Sequence, residues 1–180
     1  MSKKAARPFA ICMTGISGSG KTTLANALAQ RMSLLGISFD VIDGDDSRRI
    51  TGKLFGYDKD SRMKMAKVNK TIGWYLLRNN VSFALAVVSA FEDIRAQLRE
   101  LFEDAYIEVY VKCSVETCMS RDTKGYYKLS KEGKMENLNG VTDVYEIPTN
   151  SHVVIDTEQL TVSESCDIMM EFLENSGYIM

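Results

Sequence analysis

Apolar and polar positions along this chain fall into two alternating rhythms. Short, largely apolar runs recur at Phe9 to Met13, Ile37 to Ile42, Val81 to Ala90, Tyr106 to Val111 and His152 to Asp156. Their length and composition predict strands, and the Val81–Ala90 run predicts one covered on both faces. Between them the apolar residues recur at helical spacing. Leu24, Leu28, Met32 and Leu35 make one such stripe, and Gly36 follows as its expected C-terminal cap. A second stripe, after a polar segment from Ser47 to Asp60, puts Met65 or Val68 with Ile72, Tyr75 and Leu76 on a core face, leaving Trp74 off it; Asn79-Asn80 ends that helix. A third begins at Glu92 and carries Ile94, Leu98, Leu101 and Phe102. Ser114 caps a short helix with Val115, Cys118 and Met119, and Thr161-Val162-Ser163-Glu164 is a capping box opening a last helix whose buried side is Val162, Cys166, Met169 and Leu173. Strand and helix alternating in this way predict a three-layer α/β domain with about five parallel strands and helices on both faces.

The segment between the first strand and first helix carries the chemistry. Gly15-Ile16-Ser17-Gly18-Ser19-Gly20-Lys21-Thr22 matches G-x-x-x-x-G-K-[ST] at every fixed position, in the strand–loop–helix context that a phosphate-binding loop requires. Glycines let backbone N–H groups turn inward around phosphate oxygens, and the helix N-terminus adds unsatisfied donors. Lys21 supplies a cation for the outer phosphates and the Thr22 hydroxyl is placed to hold Mg²⁺. The expected nucleotide-binding set is Gly15, Ser17, Gly18, Ser19, Gly20, Lys21, Thr22 and Thr23, with ATP and Mg²⁺ as cofactors. The second strand ends in Asp43-Gly44-Asp45-Asp46. Acids at the carboxyl edge of an α/β sheet sit where ligands bind, so Mg²⁺ binding, general base work or both are open to them. Residues 121–147 mix Arg121, Lys124, Lys128, Lys131 and Lys134 with glycines and tyrosines and lack a clear core face, as expected of a basic lid.

Composition narrows the class. A chain of 180 residues suits a single domain, with residues 1–7 as a frayed tail, and a net charge of −2 gives no reason to expect a nucleic-acid partner. No apolar run is long enough to predict a membrane span, and no signal-peptide core precedes the loop. Cys12, Cys113, Cys118 and Cys166 form no Cys-x-x-Cys, which predicts reduced thiols in a cytoplasmic protein and no zinc site; His152 is the single histidine.

In order along the chain these motifs resemble the adenylylsulfate (APS) kinase family, from about Ile11 to Asp156. The family's Gly-x-Ser-Gly-Ser-Gly-Lys-[Ser/Thr] is Gly15 to Thr22, and its Asp-Gly-Asp-x-x-Arg is Asp43 to Arg48. Gly-Phe-Ser and Asp-Arg correspond to Gly56-Tyr57-Asp58 and Ser61-Arg62. Arg-Asp-Pro-Lys-Gly-Leu-Tyr corresponds to Arg121 through Tyr127, and Tyr-Glu-x-Pro to Tyr145 through Pro148. The resemblance implies a P-loop kinase fold and transfer of the ATP γ-phosphoryl group to the 3′-hydroxyl of APS. It implies that Asp43 and Asp45 handle Mg²⁺ and the attacking hydroxyl, with Asp45 favoured as base and Asp43 beside Thr22 at the metal. Arg48 and Arg62 would grip the acceptor's anionic groups, Tyr57 would stack on its base, and Arg121 and Lys124 would act from the lid. Dimers are usual in that family, so a homodimer is expected.

The departures cluster on the acceptor side. The family's Glu-Asn-Ile-Arg-Arg is Lys64-Met65-Ala66-Lys67-Val68, so a substrate-binding Asn is Met65. Phe-Ile-Ser-Pro-[Tyr/His]-Arg is Phe91-Glu92-Asp93-Ile94-Arg95, without the Ser-Pro and one residue shorter, and the aromatic of Asn-Phe-Thr-Gly is Leu138. Met65, Phe91 and Leu138 therefore join the acceptor-site residues, and a sister kinase acting on the ribose of another activated nucleotide, such as cytidine diphosphoramidate, stands beside APS phosphorylation. A non-catalytic nucleotide-binding module is the third reading; Lys21, Thr22, Asp43, Asp45 and Arg121 argue against it.

Overall fold

A computed structural model describes residues 5–180, with Lys53 described by its backbone only. Five strands form one parallel sheet: β1 (Ala10–Thr14), β2 (Phe39–Asp43), β3 (Ser82–Ala86), β4 (Tyr106–Lys112) and β5 (Val153–Asp156), in the order β2-β3-β1-β4-β5. The strands run in the same direction, so their carboxyl ends line up along one edge. β1 and β3 are buried throughout, as continuous apolar strands in the middle of a covered sheet must be. The helices are α1 (Lys21–Leu34), α2 (Gly44–Thr51), α3 (Lys59–Arg78), α4 (Glu92–Phe102), α5 (Val115–Arg121), α6 (Tyr126–Lys131) and α7 (Val162–Asn175). One core cluster joins Leu24, Leu28 and Met32 of α1 to Cys166, Met169 and Leu173 of α7, and a second joins Phe83, Leu98 and Phe102 beneath α3 and α4. The three-layer expectation holds. So does the capping box: Thr161 and Glu164 exchange hydrogen bonds at the start of α7.

Several local expectations are corrected. The polar segment, to which the sequence assigns no element, opens as a helix: Asp43 accepts from the backbone N–H groups of Asp45 and Asp46 and so starts α2. The buried positions of α3 are Met65, Asn69 and Gly73, whereas Ile72 and Tyr75 are exposed. The cause is close packing: a Cβ on Gly73 would lie 2.5 Å from the Phe83 ring, so the helix turns its smallest residue inward. Hydrophobic periodicity cannot see a glycine or an asparagine on a core face. Leu101 and Val162 are likewise exposed, and the strand predicted to reach Ala90 stops at Ala86, its remainder turning away through Ser89 at φ 43°. Residues 121–147 do carry a core face: Tyr127 and Leu138 are buried with Ile16, Cys113 and Cys118 in a third cluster. Of the expected tail, residues 1–4 lie outside the described residues, while Ala5 bridges to Ile179 and the Arg7 guanidinium sits 5.2 Å from the Tyr178 ring. All four cysteines are free and buried.

Candidate active site

The loop after β1 is shaped by contacts that only its own residues permit. At Gly15, with φ 154°, a Cβ would sit 2.4 Å from the Val111 carbonyl oxygen, so the chain passes tight against β4 before it opens into the loop. Gly20, left-handed at φ 104°, delivers the chain into α1. Lys21 is the first residue of α1, and its ammonium folds back to donate to the carbonyl oxygens of Gly15 and Ile16, each at 2.8 Å, and to Ser19 Oγ at 3.4 Å. Burial, reinforced by the nearby Lys124 ammonium, lowers its pKa to about 8. An anion set in the loop would restore the charge.

At the end of β2 the Thr22 hydroxyl donates to Asp43 Oδ2 at 2.6 Å, so the two expected metal residues meet across the strand edge. Among the described residues no group of three or more His, Cys, Asp or Glu side chains is arranged to hold a metal by itself. That donor set fits Mg²⁺, which takes one or two protein oxygens and completes its shell with phosphate and water. Asp45, the second residue of α2, accepts from Tyr126 Oη at 3.0 Å and pairs with Lys124. The segment expected as a lid thus holds the expected base through two side chains.

Two cavities meet here. The first, about 890 Å³ including its open mouth, is lined by Asp45, Arg48, Tyr57, Arg62, Met65 and Leu138 among others, and by the loop after β3. The second is lined by Gly18, Gly20, Thr23, Arg121 and Thr157. Lys21, Thr22 and Lys124 line both. In the first cavity Arg48 lies 4.3 Å over the Tyr57 ring and Arg62 lies 5.7 Å from it. Both guanidiniums donate to backbone carbonyls, Arg48 to Gly56 at 2.8 Å and Arg62 to Tyr57 at 2.6 Å and Asn137 at 2.7 Å, and among the described residues neither is neutralised by an ion pair. Burial first, and then the Arg48 charge, lower the Arg62 pKa to about 10. Two cations facing one cavity, neither of them paired with a carboxylate among the described residues, suit an anionic ligand. In the second cavity Arg121 is held by Thr157, through its carbonyl at 2.8 Å and its hydroxyl at 3.1 Å.

One expected residue is not brought to the site. Phe91 is buried in the second core cluster, at the extended position preceding α4, with the Lys59 ammonium 4.9 Å from its ring. Its neighbours Ser89, Ala90 and Ile94 line the first cavity instead. The corner after β3 turns the aromatic inward. That corner is fastened from both sides: Thr14 Oγ1 donates to Val88 O at 2.8 Å, Arg95 to Ser89 O at 2.8 Å, and Glu146 accepts from the Glu92 N–H at 2.6 Å. Thr14, Arg95, Tyr126 and Thr157 carry site geometry that reasoning from the sequence does not single out. Thr157 has a signal, since it directly follows a strand at the ligand-binding edge.

Against known proteins, a family model described as adenylylsulphate kinase matches residues 7–156. The chain belongs to the adenylylsulphate kinase family. It is 33% identical over 173 residues to the adenylyl-sulfate kinase of Picosynechococcus sp., covering 96% of this chain and 97% of that one. It is 34% identical to the probable adenylyl-sulfate kinase of Aeropyrum pernix, with 91% of each chain covered. The APS kinase of Mycobacterium tuberculosis, solved in complex with AMPPNP and APS, shares its fold at a TM-score of 0.88, with 24% identity over 93% of this chain and 98% of that one.

Proposed function

We propose that this family member transfers the γ-phosphoryl group of ATP to the 3′-hydroxyl of APS, giving 3′-phosphoadenylylsulfate and ADP. The observation that carries the reading is the junction of the two cavities at Lys21, Thr22 and Lys124, with Asp45 on the acceptor side of that junction. ATP takes the second cavity, its phosphates on the loop from Gly15 to Thr23 and its outer end beside Arg121. APS takes the first, with Arg48 and Arg62 on its phosphosulfate and Tyr57 against its base. Thr22 and Asp43 hold Mg²⁺, which when bound supplies charge at the transferring phosphates. Asp45 accepts the proton of the 3′-hydroxyl as that oxygen bonds to the γ-phosphorus and the bond to the ADP oxygen breaks. For this the Lys124 ammonium leaves Asp45 and turns to the phosphates, which it can do because it faces both cavities. The chemistry is positioning and charge stabilisation, as this transfer requires.

The test is ADP release with Mg-ATP and either APS or cytidine, uridine and adenosine diphosphate derivatives at equal concentration. Saturable release with APS supports the reading. Silence with APS and turnover of a pyrimidine derivative would replace it by the sister-kinase reading, which the apolar pair Met65 and Leu138 in the acceptor cavity favours. The four buried free thiols support a reducing compartment, the cytoplasm, and no helix among the described residues is long and apolar enough to cross a membrane. A homodimer is part of the proposal on the strength of the family resemblance; light scattering at working concentration tests it.

A further inference from the structure

The Asp45 carboxylate is held through both of its oxygens, by donors of different kinds. Oδ2 pairs with the Lys124 ammonium, and Oδ1 accepts from Tyr126 Oη at 3.0 Å. The two donors are anchored unequally. Tyr126 opens α6, and the start of that helix is fastened on two sides. Asp122 accepts from the backbone N–H groups of Tyr127 and Lys128 at 3.1 and 3.0 Å, and Tyr127 Oη donates to Ser17 O of the phosphate loop at 2.7 Å. The phenol of Tyr126 is thus carried on a backbone tied to the loop, through a ring with two side-chain torsions. Lys124 instead carries its charge on a flexible four-carbon stem, precedes the left-handed Gly125 at φ 70°, and faces both cavities.

Resting on the acceptor reading above, we propose that Tyr126 is a positioning residue for the base: it keeps Oδ1 fixed while Lys124 vacates Oδ2, so that Oδ2 is the oxygen that takes the proton of the acceptor's hydroxyl. The division follows from charge. An ammonium on the carboxylate occupies its lone pairs and cancels its charge, so Asp45 accepts no proton while Lys124 is in place. A phenol is neutral and orients the carboxylate without cancelling it, and an ionised carboxylate is acceptor only, so Tyr126 is the donor and keeps its own proton throughout. The backbone of Asp45 is already set, since its N–H donates to Asp43 Oδ1 at 2.7 Å. What remains to be fixed once Lys124 leaves is the side-chain rotation, and Tyr126 fixes it. Tyr126 and Asp45 both line the acceptor cavity, so the contact lies where a reacting hydroxyl must be met at a defined distance and angle. The family motif matched by Arg121 to Tyr127 has leucine at this position, which cannot donate; the contact comes from this chain's own tyrosine.

The experiment is a double-mutant cycle. Product formation from labelled ATP and APS is followed for wild type, Tyr126→Phe, Asp45→Ala and the double variant, with kcat and both KM values. Tyr126→Phe keeps the ring and removes only the donor. It should lower kcat about 10-fold, the low end for a hydrogen bond to a charged group, with both KM values within about twofold of wild type. Tyr126→Leu should lose as much in kcat, because neither side chain donates. In the Asp45→Ala background the same Tyr126→Phe change should alter kcat by less than about twofold, because a residue acting through Asp45 has nothing left to position. An unchanged kcat in Tyr126→Phe, or an equal loss in both backgrounds, overturns the inference while the APS reading stands. A rise in acceptor KM with kcat unchanged also overturns it, making Tyr126 a wall of the cavity. If wild type turns over a pyrimidine derivative and not APS, the choice of APS falls. The cycle run on that acceptor then supports or overturns the role of Tyr126 by the same criteria. No turnover of any acceptor overturns both.

Discussion

The two cavities that meet at Lys21 are built in different ways. The phosphate side is largely one continuous stretch, Gly15 to Thr23, braced by Asp43 from the neighbouring strand end and by Arg121 and Thr157. Its shape comes from backbone constraint: Gly15 cannot carry a Cβ, and Lys21 is held by carbonyl oxygens of its own loop. The acceptor side is assembled from α2, α3, the corner after β3 and the segment around Leu138, and its shape comes from side chains. A contiguous site of fixed backbone tolerates little change. One assembled from side chains can be altered wall by wall without moving the phosphates, and Met65 and Leu138 stand on those walls.

The sharpest way to break this contrast is at Lys21. Lys21→Ala should lower turnover by about a thousandfold or more while the melting temperature stays near wild type, since the charge acts on the transferring group. A near-normal rate would remove Lys21 from the mechanism. Asp45→Ala should cost about a hundred- to ten-thousandfold in kcat with little change in ATP affinity, the range for a lost general base. A loss confined to KM would make Asp45 a binding residue instead.

A third prediction uses the depressed pKa of Lys21, at about 8 in the free protein. The ammonium is lost as pH rises through that value, so ATP affinity should fall about tenfold per pH unit above it, and binding near pH 9 should take up a proton. Between that value and the ordinary lysine value of 10.5 the folded chain binds fewer protons than the unfolded one. This group's contribution to folding stability therefore rises with pH over the window in which ATP binding weakens. Calorimetry in buffers of different ionisation heat measures the uptake, and Lys21→Arg should abolish it. The smallest effect belongs to the acceptor walls. Met65→Asn with Leu138→Phe should improve kcat/KM for APS by about two- to tenfold, the worth of one stacking contact, and leave the ATP constants unchanged. A change in ATP binding would show that the two sides are coupled.

The same contrast explains what can be read from the sequence. The phosphate loop, the Asp43–Arg48 run and the sheet are legible because each is local: a fixed spacing or a short apolar run. The helical start at Asp43 is hidden because its capping contacts follow directly on a strand and resemble an acidic turn. The inward face of α3 escapes the apolar pattern because it carries Asn69 and a Gly73 packed tight against Phe83, while Ile72 and Tyr75 face outward, a tertiary preference that no periodicity records. Phe91 is expected at the acceptor because the family motif places it there. The corner after β3, fastened by Thr14, Arg95 and Glu146, turns it into the core. The pairing of Lys124 and Tyr126 with Asp45 joins residues far apart in the chain and is invisible without the fold.

The most direct test follows the label from γ-labelled ATP after incubation with APS and Mg²⁺. The account predicts label in 3′-phosphoadenylylsulfate, formed in step with ADP and saturating with APS. Label found only in inorganic phosphate, or in a pyrimidine nucleotide but never in the APS product, would contradict it.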